Sequence, residues 1–249
     1  MIILPMAGLS SRFSRAGYDV PKYMLPLRGQ SVFTHALTSF ESCFQSERFM
    51  IICRRVADTP DFVRAECVAA GLSLDQVDLV VLDAPTAGQA ETVAAGLDAV
   101  TSDKVTPLTI FNIDTFRPGF RYPDTFRLQD IDGYVEVFVG EGTHWSFVKP
   151  DPTAPESHRA MEVAEKKRIS NLCSTGLYFF RSTDLFQKLY ATIADKDPDR
   201  LQGGERYIAP LYNTAIQQGY DIRYNLIDKS DVLFCGTPGE YEALTSQGF

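Results

Sequence analysis

Short apolar runs alternate with longer helix-like segments through the first half of this chain. Residues 2–6 read as a buried strand and residues 31–43 as a helix. The same pair recurs at 49–54 and 58–71, and again at 77–82 and 88–100, before a further strand at 109–114. Alternation of this kind predicts a parallel sheet with helices on both faces. Ligands of such sheets gather beyond the carboxyl ends of the strands. The loop at residues 7–22, the segment at 83–89 and the acid Asp114 all follow strands in the register that brings them to that edge.

After Asp114 the pattern changes. Residues 133–139, 145–148 and 174–180 are strand-like, and 116–167 read as a more β-rich part. Residues 183–194 and 205–218 predict helices, 222–227 and 232–234 strands, and 238–246 a terminal helix, with a polar loop at 196–204. The chain carries no internal repeat and no low-complexity tract. The expected fold is α/β, a Rossmann-like doubly wound and mostly parallel sheet with a smaller β-rich part.

Composition narrows the classes. A chain of 249 residues, 45% hydrophobic and 22% charged, can bury a full core as one large domain or a domain with an appended lobe. A net charge of -8 and a pI near 4.9 argue against a nucleic-acid surface, which normally shows a basic stripe. Cys43, Cys53, Cys67, Cys173 and Cys235 are scattered and show no C-x-x-C spacing. They read as reduced, mostly buried thiols of a cytoplasmic protein, not as a metal site or a disulfide frame. No run approaches the ~18 apolar residues of a membrane span, and the first residues lack the basic region of a signal peptide. Neither export nor membrane attachment is expected.

The densest candidate chemistry lies in the first 22 residues. The strand Met1-Ile2-Ile3-Leu4-Pro5-Met6 empties into Ala7-Gly8-Leu9-Ser10-Ser11-Arg12-Phe13, followed by Gly17 and the pair Pro21-Lys22. Gly8 and the two serines let backbone N–H groups approach an anion, and Arg12 and Lys22 supply the charge that a triphosphate needs. The plainer alternative is a loop carrying a surface Arg and Lys. The stretch resembles the signature of the sugar-phosphate nucleotidyltransferases, Gly-x-Gly-Ser/Thr-Arg and then Pro-Lys. Gly8, Ser11, Arg12, Pro21 and Lys22 match it, and Ser10 replaces the second glycine.

Further segments carry the same resemblance. Phe111-Asn112-Ile113-Asp114 ends an apolar strand in an acid suited to Mg²⁺, a hard cation that prefers carboxylate and phosphate oxygens. A cap on the following turn is the alternative for Asp114, and the resemblance places a magnesium-binding aspartate there. Asp83 to Gly88 resembles the base-recognition segment. Gly88 would let a nucleobase lie against the backbone, and Asp83, which only accepts, would face the base edge without choosing the base. Ala164-Glu165-Lys166-Lys167 resembles Glu-Lys-Pro, in which Glu contacts sugar hydroxyls and Lys the acceptor phosphate, with Lys167 in place of the proline. A solvated charge run is the alternative. Ser174-Thr175-Gly176-Leu177-Tyr178 resembles the strand beneath the acceptor pocket, and Trp145, the only Trp, either stacks on a sugar or packs the β-lobe. Gly236-Thr237-Pro238 resembles the closing helix start, but Phe234 stands where the family has its second magnesium carboxylate. Asp231 or Asp228 could replace it, or Asp114 and phosphates could hold the ion alone; Asp231 is preferred.

The resemblance implies a single nucleotidyltransferase domain over 1–249, with a nucleotide-binding half at 1–115 and an acceptor-binding half at 116–249. It implies transfer of a nucleoside monophosphate from a triphosphate to a phosphorylated acceptor, by default a sugar 1-phosphate, with Mg²⁺ as cofactor and pyrophosphate released. Arg12, Lys22 and Asp114 would be catalytic. Ala7, Gly8, Ser10, Ser11, Asp83, Gly88 and Asn112 would bind the nucleotide. Trp145, Glu165, Lys166, Thr175 and Gly176 would bind the acceptor, and Asp114 and Asp231 the metal. Two alternatives stand beside this reading: a metal-dependent glycosyltransferase, and a non-catalytic nucleotide-binding protein. Synthesis of surface or capsule glycan precursors is the suggested setting, and homo-oligomerisation is left open.

Overall fold

The computed structural model describes residues 1–100 and 103–246. They form two compact units. The first comprises Ile2–Pro85, Phe111–Arg121 and the chain from Ser230 on; the second comprises Met1, Thr86–Ile110 and Tyr122–Lys229. Both units draw on residues from either side of residue 115.

In the first unit the strands Ile2–Pro5, Phe49–Arg54 and Val77–Leu82 lie parallel, with Phe49–Arg54 in the middle. Ile2, Ile3, Leu4 and all residues from Phe49 to Cys53 are fully buried, as parallel strands covered on both faces must be. The helices Val32–Thr38 and Thr59–Ala69 belong to this unit. The helix expected over 31–43 breaks after Thr38. The Thr38 and Ser39 hydroxyls donate to the carbonyls of Thr34 and His35 at 2.8 and 3.1 Å, a local competition that loosens a helix end. A 3₁₀ turn, Glu41–Cys43, follows. The residue 7–22 segment, read as a loop, contains a short helix, Ser11–Arg15, pinned by the buried Phe13. Thr115–Phe116 and Leu233–Phe234 pair as an antiparallel ladder, which brings the C-terminal segment beside Asp114. The terminal helix Pro238–Ser246 opens on a capping box. Thr237 Oγ1 accepts from Glu240 N at 3.2 Å, and the Glu240 carboxylate accepts from Thr237 N at 2.9 Å.

In the second unit Gly133–Val139 pairs antiparallel with Leu172–Phe180 and parallel with Ile222–Leu226. Ser146–Pro150 pairs antiparallel with Ala160–Glu165. This last strand was hidden within the segment read broadly as β-rich, because a bulge between Ala160 and Glu162 interrupts its alternation. The helices are Gln89–Ala99, Thr183–Ala191 and Leu211–Gln217. The helix expected from residue 205 starts only at Leu211, because the Arg206 backbone is engaged elsewhere: its N–H donates to Ala87 O and its carbonyl accepts from Ala90 N. Tyr212 anchors the core, donating to the carbonyls of Tyr134 and Phe179 at 3.1 and 2.8 Å and stacking on Phe180. Parallel strands with helices and added antiparallel strands make this an α/β, Rossmann-like protein. All five cysteines are free and buried. Among the described residues no helix is long and apolar enough to cross a membrane.

Candidate active site

The first unit brings Arg12, Lys22 and Asp114 into its own loop cluster. Ala7 is buried at the end of the first strand, and Gly8 follows in an exposed position with open space around its Cα. Ser10 adopts the left-handed conformation, φ 51° and ψ 29°, that a glycine would take without strain, and its carbonyl receives Phe13 N and Ser14 N to start the short helix. Its hydroxyl accepts weakly from Lys22 N at 3.4 Å, so the substituted position tethers the Pro21-Lys22 turn. Ser11 and Arg12 are exposed, and Arg12 has no carboxylate partner among the described residues. The Lys22 ammonium donates to the Asp114 carboxylate, both side chains being about one-fifth exposed (19% and 21%).

Asp114 lies just beyond the strand Leu108–Phe111 and is held from behind, its carbonyl accepting from Cys235 N at 2.8 Å. A side chain on Gly236 would begin 3.2 Å from the Asp114 carboxylate, so glycine there leaves the acid uncovered. Burial, with the Asp114 charge beside it, pushes the Cys235 thiol up to about 12 and keeps it inert. Asn112 and the exposed Asp83 complete the predicted nucleotide residues of this unit.

Asp231 is exposed in the turn Lys229–Asp231, and its backbone carbonyl, not its carboxylate, is engaged within the unit, by the Arg117 guanidinium at 2.9 Å. The Glu240 carboxylate also lies by Gly236, bonded to Gly236 N and Thr237 N at 2.9 Å each.

The second unit gathers the acceptor candidates around the end of the strand Ala160–Glu165. Glu165 is buried, 8% exposed, and receives the Ser146 hydroxyl, which also contacts the Tyr178 hydroxyl at 3.3 Å. Burial raises the Glu165 carboxyl above its ordinary range, against the lowering by Ser146. Lys166 N donates to Trp145 O at 2.9 Å, which ties the two predicted acceptor segments together. Trp145 is half-buried, donating from its indole to Glu141 O at 2.9 Å and packing edge-on against Phe138. Thr175 is placed differently from its neighbours in the prediction. It is 1% exposed, and its hydroxyl donates to the fully buried Glu136 at 3.0 Å. Gly176, φ 89°, forms the bulge where the register shifts between Ser174 and Tyr178.

Gly88 has a reason for being glycine that the sequence did not disclose. Its φ is 145°, and a Cβ there would lie 2.6 Å from both N and O of Arg206. The glycine thus serves a backbone-to-backbone approach.

No family model and no curated protein matches the chain. The likeness comes from solved structures. The nucleoside-diphosphate-sugar pyrophosphorylase from Vibrio cholerae RC9 is 45% identical, with a TM-score of 0.92, the match covering 99% of this chain and 100% of that one. The chain belongs to the sugar-phosphate nucleotidyltransferase family. Two more distant structures share the fold. One is the inositol-1-phosphate CTP transferase from T. maritima, at 14% identity and TM-score 0.72 over 98% of this chain and 93% of that one. The other is described as a glucose-1-phosphate thymidylyltransferase from Bacillus anthracis, in complex with sucrose, at 19% identity and TM-score 0.72 over 100% and 96%.

The enzyme's own residues fit a magnesium ion of the kind its family implies. Asp114 offers a hard, partly exposed carboxylate that no neighbouring side chain at Gly236 covers. One carboxylate suffices where phosphates and waters supply the other oxygens, as they commonly do for Mg²⁺. Sequence reasoning did not single out Ser146, Tyr207 and Glu136 in the acceptor unit, whereas Tyr178 lay within the motif of its strand. Of these three only Glu136 left a signal, a charged residue inside an otherwise apolar run.

Proposed function

We propose that this nucleotidyltransferase moves a nucleoside monophosphate from a triphosphate onto a sugar 1-phosphate or a similar phosphorylated metabolite and releases pyrophosphate. The observation that carries this reading is the carboxylate–ammonium pair of Asp114 and Lys22 in the same unit as the Arg12 loop, whose residue Ser10 bonds the Lys22 backbone. A glycosyltransferase has no need of a second and third positioned charge for a triphosphate, and the full-length likeness to a pyrophosphorylase weighs against it.

The chemistry asks little of the protein beyond alignment and charge. An acceptor phosphate is largely dianionic near neutral pH, its second pKa being about 6, so it attacks the α-phosphorus without a general base. The bond to the β-phosphate oxygen breaks as the new P–O bond forms, and no covalent enzyme intermediate is needed. Backbone N–H groups of Gly8, Ser10 and Ser11 hold the triphosphate, Arg12 the departing pyrophosphate and Lys22 the α-phosphate. Ala7 and Asn112 border the nucleotide, and Asp83 and Gly88 border the base. Mg²⁺, when bound at Asp114, supplies charge neutralisation for the phosphate oxygens. Lys166 holds the attacking phosphate, Glu165 the acceptor's hydroxyls, and Trp145 and Gly176 form the surroundings of these two, while Thr175 supports them from the interior through Glu136. Loss of one positioned charge costs about 3 kcal/mol, roughly a hundredfold in rate.

In this reading residues 1–115 serve the nucleotide and residues 116–249 the acceptor. Activated-sugar production for surface glycans is the setting we infer. The test is pyrophosphate release with Mg²⁺, with CTP, UTP, dTTP, GTP and ATP each against sugar 1-phosphates and phosphocholine. Release that requires one triphosphate and one acceptor together supports the proposal. Release of a nucleoside diphosphate from a nucleotide sugar, with no pyrophosphate, overturns it.

A further inference from the structure

Lys166 is exposed, but it is not loose. Its ammonium donates to the Tyr207 hydroxyl and lies 4.5 Å from the centroid of the Tyr207 ring. Its backbone is in the left-handed region, φ 54°, where a non-glycine residue is strained, and is held there by the bond from Lys166 N to Trp145 O. The residue that follows explains how this is possible. A proline at 167 would force Lys166 to an extended φ, and this chain has Lys167 instead.

Tyr207 is itself seated by built features. Gly203, φ 74°, leaves the berth for its ring: a Cβ there would lie 2.9 Å from a ring carbon and 3.6 Å from the Glu165 side chain. The neighbouring Arg206 is locked by its two backbone bonds to Ala87 and Ala90, at 2.9 and 2.8 Å, and its guanidinium donates to Ala194 O at 2.7 Å. Two glycines, at 88 and 203, thus make room for this one short segment.

We propose that Tyr207 is a positioning residue, holding the Lys166 ammonium by its hydroxyl and its ring so that the lysine is already placed when the acceptor phosphate arrives. The proposal rests on the assignment of Lys166 to that phosphate. It goes beyond it in naming the group that aims the lysine, and in reading Lys167, Gly203 and Tyr207 as one device. The charged and titratable groups facing Lys166 are Tyr207, Glu165 and Glu205. Burial pulls the ammonium down, and these three outweigh it, so that Lys166 stays protonated above its ordinary range.

The test compares Y207F and Y207L with wild type in two measurements. In the first, Lys166 is acylated with an N-hydroxysuccinimide ester of acetic acid and quantified by mass spectrometry, with the exposed Lys149 as internal reference. Release from Tyr207 makes Lys166 react several-fold faster in Y207L, and less so in Y207F, which keeps the ring. In the second, the KM for the acceptor rises about tenfold in Y207L while the KM for the triphosphate is unchanged, a split that general loosening of the fold would not give. Y207F recovers most of the loss, and the alkaline limb of the pH profile moves to lower pH in Y207L.

Unchanged acylation of Lys166 overturns the proposal, as does faster acylation with an unchanged acceptor KM. Should Y207L fail to fold, Y207F decides alone by whether its Lys166 reacts faster than that of wild type. If wild type releases no pyrophosphate with any acceptor, the functional reading fails while the acylation result still decides whether Tyr207 holds the lysine.

Discussion

Gly8→Ala separates the phosphate-binding role of the first loop from its role in the fold. Gly8 does not lie in the left-handed region, and a Cβ placed on it meets nothing within 4 Å. Alanine is therefore accommodated without strain, and the smaller conformational freedom of the unfolded chain stabilises the variant by about 0.4–1 kcal/mol. For a chain of this size that raises the melting temperature by about 1–4 °C. The same methyl group occupies the open space through which a phosphate would reach the backbone. Losing one hydrogen bond to a charged group there weakens triphosphate binding by about 1.5–3 kcal/mol, or roughly 10- to 100-fold in KM. Thermal unfolding and triphosphate titrations of pyrophosphate release, on the same preparation, give both numbers. A variant that melts higher and needs far more triphosphate is the expected pairing. An unchanged KM for the triphosphate refutes the placement of the phosphates at this loop, and a lowered melting temperature refutes the conformational argument.

Gly88→Ala behaves in the opposite way. With φ at 145° and Arg206 backbone 2.6 Å from the new Cβ, it adds strain and breaks the bonds at Ala87 and Ala90, lowering stability by about 3 kcal/mol in denaturant melts. Ser10→Gly relieves a left-handed serine and raises stability by about 1 kcal/mol with activity retained, the weak 3.4 Å bond to Lys22 N being a small loss; a lower denaturation midpoint contradicts this. Glu165→Gln shows a pH-dependent gain. Because burial raises the Glu165 carboxyl, its favourable contribution is complete below the ordinary value of 4.5 and is lost as pH rises through the higher folded value. The glutamine variant therefore melts above wild type at pH 7.5 and level with it at pH 4, with acceptor turnover impaired; a lower melting temperature at pH 7.5 contradicts the burial argument.

The parallel strands were legible because each is a continuous apolar run bounded by turn residues, and Asp114 was legible because it ends such a run. Ser11–Arg15 was not, since five residues are too few to display a helical period and its start depends on the left-handed Ser10. The strand Ala160–Glu165 was obscured by its bulge, and the late start of the helix at Leu211 by long-range bonds of Arg206 that no local pattern records. Gly88 was legible as special, but its approach to Arg206 was not. The sequence signals that glycine is required, but the partner that requires it lies more than a hundred residues away. Tyr207 carried no signal, because its meaning depends on Lys166 and on the berth at Gly203. Thr175 matched a motif while its hydroxyl faces the interior, where Glu136 takes it.

The most direct test of the whole account is a phosphorus NMR time course of wild type and Asp114→Asn with Mg²⁺, the preferred triphosphate and its acceptor. Wild type is expected to form one pyrophosphate for each nucleoside-diphosphate-linked acceptor, and the variant to react at a rate lower by roughly a hundredfold. Inorganic phosphate in place of pyrophosphate, or an Asp114→Asn rate equal to that of wild type, would contradict it.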